Sequence, residues 1–145
     1  MFFAKWWRDQ ELIGLTSGNF EKMSDKKIQA SVRNMIGDKK EHHWMIKADS
    51  KTVGHINLCR LSPSKAELQI VIGEKDYWEK GIGKKAVELV LENAKKLNYK
   101  EIYIEIRPEN SRARNLYKNL GFIERGTKKY RNKYLPKVIM MTKNL

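Results

Sequence analysis

The stretch of sequence that decides the fold is residues 70–86, which read IVIGEKDYWEKGIGKKA. The apolar residues at 70–72 predict a strand, and the apolar spacing from Ile82 onward predicts a helix. Gly81 and Gly83 lie between them, where missing side chains let backbone amides approach a ligand. The first turn of a helix offers unpaired N–H groups and the positive end of the helix dipole. The stretch therefore predicts an anion site, best suited to phosphate.

Two familiar phosphate-binding motifs do not fit this stretch. No Gly-Lys-Ser/Thr follows it, which excludes the phosphate loop of nucleotide hydrolases. The third glycine of the dinucleotide fingerprint is missing, and the preceding strand is not the first of the domain. By themselves, the two glycines also fit a helix start that only packs closely against its neighbours. Lys80, Lys84 and Lys85 add positive charge around this glycine-bearing stretch.

Residues 105–122, which read EIRPENSRARNLYKNLGF, form the second informative stretch. Alternating isoleucines over residues 102–106 predict a strand that Pro108 interrupts. Asn110 is placed to cap a short helix, and Gly121 is placed to end it.

Together, the two stretches resemble the GNAT superfamily of acetyl-CoA-dependent N-acetyltransferases. The first is similar to the family's pyrophosphate-binding motif, Gln/Arg-x-x-Gly-x-Gly/Ala, although Trp78 takes the place of Gln or Arg. The second is similar to the family's Asn-x-x-Ala-x-x-x-Tyr-x-x-x-Gly-Phe element, and the order and spacing also agree. The form YWEKG at residues 77–81 resembles the branch of ribosomal-protein alanine, spermidine and aminoglycoside acetyltransferases.

The resemblance implies a mixed α/β fold: a twisted mixed sheet of about six strands with helices on both faces. The family's opening strand is expected to be absent or reduced to Phe2-Phe3, which leaves one sheet edge in doubt. The expected elements are helices over 5–15 (ending near Ser17-Gly18) and from Ser24 or Asp25 to Gly37, strands over 44–48, 53–61 and 67–73, a helix over 82–97, a strand over 102–107, a helix over 113–120, and strands over 122–130 and 138–142.

The same resemblance implies acetyl-CoA as cosubstrate and no metal. By position, the strand over 67–73 would pair with the pantetheine arm through main-chain groups, as an added strand would. Its isoleucines also fit plain core packing. The pyrophosphate would lie on the amides of the glycine-bearing loop. The cofactor-binding residues that the resemblance implies are Ile70, Val71, Ile72, Trp78, Glu79, Lys80, Gly81, Ile82, Gly83, Lys84, Asn110 and Tyr117.

Acetyl transfer to an amine needs a neutral amine, an oriented thioester and a proton for the departing thiolate. Tyr117 is the candidate general acid, because a phenol with a pKa near 10 keeps its proton at neutral pH. Glu105 is the first candidate for the base. The resemblance implies this role, because in the ribosomal-protein alanine acetyltransferases a glutamate five positions before the motif Asn acts as the base, and desolvation in a central strand would raise the pKa of Glu105. The alternative for Glu105 is an ion pair with Arg107 or a lysine. Glu67, on the neighbouring strand, is the rival base.

The remaining reactive side chains are given no catalytic role. Cys59 has no histidine partner nearby in sequence and is expected to be a core thiol. His42, His43 and His55 match no role in the family and are expected to be surface or strand residues.

The length and composition of the chain limit its domain organisation, its location and its alternative functions. The chain has 145 residues, which fits one domain over 1–145, and a single cysteine, which favours a reducing, cytoplasmic setting. No apolar run approaches the ~20 residues of a membrane span, and no signal peptide is expected. The formal net charge of +13 fits either lysine-rich coding bias or a polyanion partner. A ribosome- or nucleic-acid-binding module on a decayed acetyltransferase scaffold is therefore the alternative function.

The acceptor amine and the assembly state are less determined. A protein or peptide α-amine is favoured weakly, because its pKa near 8 leaves about a tenth of it neutral at pH 7. Polyamines and aminoglycosides, the alternatives, would need an acidic pocket on a basic protein. The sheet edge beside the Trp44–Ala48 strand would be bare, which predicts a homodimer or a cover formed by Phe2, Phe3 and Trp6.

Overall fold

The computed structural model describes residues 2–16, 21–131, 133 and 137–145. It confirms the mixed α/β class, with a mixed sheet and helices on both of its faces. The elements in chain order are α1 (Phe2–Trp6), α2 (Gln10–Leu15), α3 (Asp25–Gly37), β1 (Glu41–Ala48), β2 (Lys51–Ser62), β3 (Lys65–Ile72), a 3-10 turn (Lys75–Tyr77), α4 (Ile82–Lys96), β4 (Glu101–Ile106), α5 (Ser111–Asn119), β5 (Ile123–Lys129) and β6 (Lys137–Asn144).

The six strands form one sheet in the order β1-β2-β3-β4-β6-β5. β3 and β4 are parallel and are connected through α4, whereas the other neighbouring strands are antiparallel. The parallel pair therefore lies in the middle of the sheet, where a crossover helix is needed to join its strands.

The main hydrophobic core lies between one face of the sheet and the helices α4 and α5. Side chains alternate between the two faces along a strand. Ile56 and Leu68 project to this face and are buried against Val87 of α4. Ile70 and Ile72 pack against the same core, which confirms the prediction that they share a face with Leu68.

The N-terminal helices differ from the prediction. A single helix over 5–15 is wrong, because the chain leaves the helix after Trp6 and starts a new one at Gln10. Asp9 caps the second helix: its Oδ1 accepts hydrogen bonds from the N–H groups of Glu11 and Leu12, at 3.0 and 3.2 Å. Of the two alternatives for the opening strand, the one that reduced it to Phe2-Phe3 is wrong, since both residues belong to α1. The predicted end near Ser17-Gly18 lies outside the described residues.

Helix α1 is held at the end of β3 by its aromatic side chains. The Trp6 ring lies so close to Gly73 that a Cβ atom there would come within 2.1 Å of it. The Trp6 indole N–H also donates to Glu74 Oε1 at 2.9 Å. On the other face of the sheet from α4, Phe3 meets the ring of His55 edge-on at 5.2 Å.

β1 is an edge strand, as the sequence predicts for this side of the sheet. The ring contacts of Phe3 and Trp6 are made to β2 and to the end of β3, so the predicted aromatic cover over β1 is not observed in the described part of the chain. The homodimer remains a prediction. No helix among the described residues combines the length and apolar composition that a membrane crossing requires.

Candidate active site

The strands β3 and β4 separate in the middle of the sheet. They pair only over Lys65–Glu67 and Glu101–Tyr103, although both strands continue beyond this point. Past this point, no described strand pairs with the β4-facing side of β3. The result is an opening between two parallel strands.

The register of β3 shows which peptide groups face this opening. Gly73 N–H donates to the Val53 carbonyl at 2.8 Å, so alternate residues of β3 direct their peptide groups toward β2. Val71 is one of these. Ile70 and Ile72 direct theirs toward the opening, where an extended ligand could pair with them.

The loop after β3 leads into α4 without a side-chain cap. Glu79 and Gly81 both have a left-handed backbone, with φ of 58° and 76°. This conformation favours glycine, which explains Gly81. The first intrahelical bond is donated by the Lys85 N–H to the Gly81 carbonyl at 3.0 Å. The N–H groups of residues 82–84 therefore have no intrahelical acceptor and are available to an anion.

Trp78 fixes this loop through its ring. Its indole N–H donates to the Ile72 carbonyl at 2.8 Å. The Arg112 guanidinium lies 4.5 Å from the centre of the Trp78 ring, and its Nη1 is 3.8 Å from Glu79 Oε1. Trp78 thus supports the loop by packing, and Arg112 brings positive charge to it. Arg112 was not among the residues predicted from the sequence, although its place in the first turn of α5, beside the motif Asn110, was a usable signal.

Helix α5 lies beside the start of α4. A Cβ atom on Gly83 would be 4.0 Å from Leu116 Cδ2 of α5. Asn110 caps α5, and its Oδ1 accepts a hydrogen bond from Ala113 N–H at 3.1 Å. Tyr117 is only 5% exposed, and its ring meets Phe122 edge-on. The Tyr117 hydroxyl makes no hydrogen bond to any residue that the structure describes. Burial raises its pKa above the ordinary value, so the phenol keeps its proton throughout the physiological range.

The face of the sheet opposite the core is polar. Glu41, Cys59 and Glu67 are direct cross-strand neighbours on β1, β2 and β3. Burial raises the pKa of Glu67, and the nearby charges of Glu105 and Glu41 raise it further, although Gln69 donates a hydrogen bond to its Oε1 at 3.3 Å. Glu67 is therefore a carboxylate with an increased affinity for a proton.

Cys59 does not lie in the core, and the prediction of a core thiol is wrong. It is partly exposed on this polar face, between two carboxylates. Burial, together with the charges of Glu41 and Glu67, raises its pKa. The thiol is therefore held in its protonated, unreactive form.

Glu105 is held by two tyrosines. The Tyr130 hydroxyl lies 2.5 and 2.7 Å from the two Glu105 carboxylate oxygens, and the Tyr103 hydroxyl donates to Oε1 at 2.8 Å. Lys128 Nζ is 3.7 Å from Oε1, which fits the lysine ion pair foreseen as the alternative. The alternative partner, Arg107, instead donates to the Thr16 carbonyl at 3.1 Å. The contact of Tyr130 with Glu105 was not predictable from the sequence.

His43 and His55 form a stacked pair, with His43 Nδ1 and His55 Nε2 3.0 Å apart. Both lie on strands, as expected, but their pairing was not foreseen. Burial, reinforced by His43, lowers the pKa of His55 to about 4, so this ring is neutral at physiological pH. Glu41 Oε2 is 2.8 Å from His43 Nε2, although the two atoms are not aligned for a hydrogen bond. Within the described ranges, no group of three or more His, Cys, Asp or Glu side chains could hold a metal ion.

A family model of the acetyltransferase (GNAT) domain matches residues 1–123. The chain belongs to the GNAT acetyltransferase family. Spermidine N(1)-acetyltransferase of Escherichia coli K12 is 29% identical to it over 94 residues, which is 63% of this chain and 50% of that protein. The match confirms the family that the two sequence motifs indicated.

Solved structures of other GNAT proteins share the fold. Spermidine N-acetyltransferase from Vibrio cholerae, in complex with CoA and spermine, aligns with a TM-score of 0.84 and 21% identity, over 99% of this chain and 88% of that one. Ribosomal-protein-alanine N-acetyltransferase from Brucella melitensis aligns with a TM-score of 0.79 and 17% identity, over 98% and 91%. An aminoglycoside acetyltransferase in complex with CoA aligns at 0.81 and 14% identity, over 97% and 86%. These likenesses confirm the fold.

The chain spans half or less of the length of the curated relatives it matches, between 15% and 50%.

Proposed function

We propose that this GNAT protein transfers an acetyl group from acetyl-CoA to a primary amine by direct attack in a ternary complex. The observation that carries the proposal is the opening between β3 and β4 beside the uncapped start of α4. The opening presents strand-edge peptide groups, and the helix start presents free N–H groups. These two surfaces suit the amide-containing arm and the pyrophosphate of one coenzyme A molecule.

The cofactor would be held mainly by the protein backbone. The N–H and carbonyl of Ile70, and the N–H of Ile72, whose carbonyl already accepts from the Trp78 indole, would pair with the amides of the pantetheine arm. The N–H groups of residues 82–84 would receive the pyrophosphate, with help from the helix dipole. Arg112, fixed on the Trp78 ring, would supply a positively charged side chain beside the loop, where the family motif has a polar Gln or Arg instead of Trp78.

In the chemical step, the neutral amine attacks the thioester carbon, the C–S bond breaks, and the sulfur leaves as a thiolate. Tyr117 would donate its proton to that sulfur. Its raised pKa ensures that the proton is present, and its hydroxyl has no competing acceptor among the described residues. The attacking nitrogen, which carries a surplus proton once the C–N bond has formed, releases that proton to solvent to give the neutral amide, and the tyrosinate regains a proton from solvent.

The amine must first lose a proton, and Glu67 suits this task better than Glu105. The pKa of Glu67 is raised by burial, and Gln69 is its hydrogen-bond donor. Glu105, by contrast, already accepts hydrogen bonds from Tyr103 and Tyr130. We therefore assign proton removal to Glu67, and assign to Glu105 the stabilisation of the positive charge of the incoming ammonium.

The test is an acceptor panel of peptides, linear amines and aminoglycosides incubated with acetyl-CoA, with thiol release as the readout. Amine-dependent release that disappears in Gly83→Glu, a variant designed to block the cofactor, is the expected result. If calorimetry detects no coenzyme A binding, and the protein is instead retained on RNA in a salt-dependent way, the nucleic-acid-binding module is the better function.

A further inference from the structure

Asn57 is a buried polar residue that the fold does not use. It lies in the middle of β2, between His43 on β1 and Gln69 on β3, and projects to the polar face. The residue is only 5% exposed, yet its side-chain amide makes no hydrogen bond within the described part of the chain. In the described part of the chain, the one fully buried side-chain polar atom without a partner is His43 Nε2, so the Asn57 amide keeps some contact with solvent and is open to a polar ligand.

The surroundings of Asn57 are anionic. Cys59, two residues further along β2, projects to the same face and has Glu41 and Glu67 as its cross-strand neighbours. The carboxylates of Glu67 and Glu41 are close enough for each other's charge to affect proton binding at Glu67. A protein with a net charge of +13 thus places two carboxylates near the unpaired amide of Asn57 on this face of the described sheet, with His43 Nε2 2.8 Å from Glu41 Oε2.

The exposure of side chains on this polar face decreases from β3 to β2. Gln69 on β3, next to the opening, is exposed, whereas its neighbour Asn57 on β2 is buried. A ligand that enters at the β3–β4 opening would therefore reach Asn57 with its far end. Since neighbouring strands are ~4.8 Å apart, β2 and β1 lie roughly 5–10 Å from β3.

We propose that Asn57 and Glu41 bind a second, non-reacting ammonium of the acceptor, so that the preferred acceptor is a linear aliphatic diamine. This inference rests on the proposed acetyl transfer. A buried ammonium requires a carboxylate for its charge and further oxygen acceptors for its remaining protons. Glu41 supplies the charge and the Asn57 carbonyl oxygen supplies a neutral acceptor, while the other nitrogen of the diamine lies at Glu67 and is acetylated.

A structural role for Asn57 predicts a different outcome. If the amide served only packing, replacing it by leucine, which has nearly the same shape, would remove an unpaired polar group and affect nothing else. The fold would then keep or gain stability, with no change in acceptor preference. A ligand role predicts that the fold keeps its stability and loses its preference for the diamine.

The experiment compares putrescine with n-butylamine, which has the same carbon chain and only one nitrogen. In the unaltered protein, kcat/KM for putrescine is expected to exceed that for n-butylamine by at least about tenfold, or ~1.4 kcal/mol. Asn57→Leu and Glu41→Gln should each reduce this ratio toward one, mainly through the KM for putrescine. Glu92→Gln, the same charge change on the exposed side of α4, should leave the ratio unchanged.

Several results would overturn the inference. One is equal use of the two amines by the unaltered protein, and another is an unchanged ratio in both Asn57→Leu and Glu41→Gln. If no amine is acetylated although coenzyme A binds, the proposed acetyl transfer fails. Calorimetric titration of putrescine into the coenzyme A complex still decides the subsite in that case: binding that Asn57→Leu weakens supports it, and no binding refutes it.

Discussion

Substitutions at Gly83 offer the sharpest test of the cofactor site, because the protein itself leaves room for a side chain there. A Cβ atom on Gly83 would lie 4.0 Å from its nearest neighbours, Ile72 Cγ1 and Leu116 Cδ2, which is an ordinary contact distance. Any side chain that extends further would reach the space beside the first-turn N–H groups of α4. We therefore expect Gly83→Ala, Gly83→Gln and Gly83→Glu to fold normally and to differ in coenzyme A binding.

The expected magnitudes separate folding from binding. Replacing glycine by alanine in a helix stabilises it by up to about 1 kcal/mol, so Gly83→Ala should raise the melting temperature slightly. A glutamate in the first turn interacts favourably with the helix dipole, by ~0.3–1 kcal/mol, so Gly83→Glu should also remain stable. The same carboxylate would block and repel the pyrophosphate, which predicts at least a tenfold loss of coenzyme A affinity, or ~1.4 kcal/mol.

Calorimetric titration of coenzyme A into each variant, with a thermal melt as the folding control, gives the answer. Gly83→Gln has almost the size of Gly83→Glu without its charge, so the difference between them isolates the repulsion. Native-like affinity in a folded Gly83→Glu protein would remove the cofactor from this loop. Equal losses in the two long variants would show that the side chain acts by steric exclusion, with no contribution from charge repulsion.

The other predictions concern the acid, the histidine pair and the docking of α1. Tyr117→Phe keeps the aromatic packing and removes the proton donor, so kcat should fall ~10²–10⁴-fold while coenzyme A binding is little changed; native turnover under conditions where chemistry limits the rate would leave the acid role to water. His55 has a pKa of about 4 in the folded protein and an ordinary value near 6.5, so the unfolded chain takes up a proton in this range that the folded chain does not. The free energy of unfolding should therefore fall by up to about 3 kcal/mol as the pH drops from 6.5 to 4, and urea titrations of His55→Gln should lack most of this fall. An equal fall in that variant would assign it to other groups. Gly73→Ala should destabilise the fold by about 1–3 kcal/mol, because the new Cβ would collide with the Trp6 ring; an unchanged denaturation midpoint would show that α1 is not held there.

The sequence predicted the helices and strands best where their periodicity is uninterrupted. Helix α3 begins and ends as its Ser24 cap and Gly37 indicated, and α4 follows its apolar spacing closely. The break between α1 and α2 was missed, because Trp6, Trp7 and Leu12 are spaced as in one continuous helix. Asp9 decides that break, and a cap inside an apparent helical pattern is recognisable only when its hydrogen bonds are seen.

The candidate site was predictable only where its residues are close in sequence. The loop at Gly81 and the cap at Asn110 could be read from local motifs. The surroundings of Glu105 could not, because Tyr130 reaches it from 25 residues further along the chain. Cys59 is a different case: it alternates with the buried Leu58 along β2, so the period of two already indicated that it faces away from the core.

The electrostatics of the site differ between the two sides of the β3–β4 opening. On the helix side, the free N–H groups of α4 lie near Lys84 and Arg112, which suits an anionic cofactor. On the opposite face, the strands carry Glu41, Glu67 and Glu105, which suits a cationic acceptor. The net charge of +13 predicts only the first of these two environments. Because an acidic pocket was the condition for a polyamine-like acceptor, these three carboxylates support the proposed diamine over a peptide amine. The kcat/KM ratio of putrescine to n-butylamine measures that preference directly.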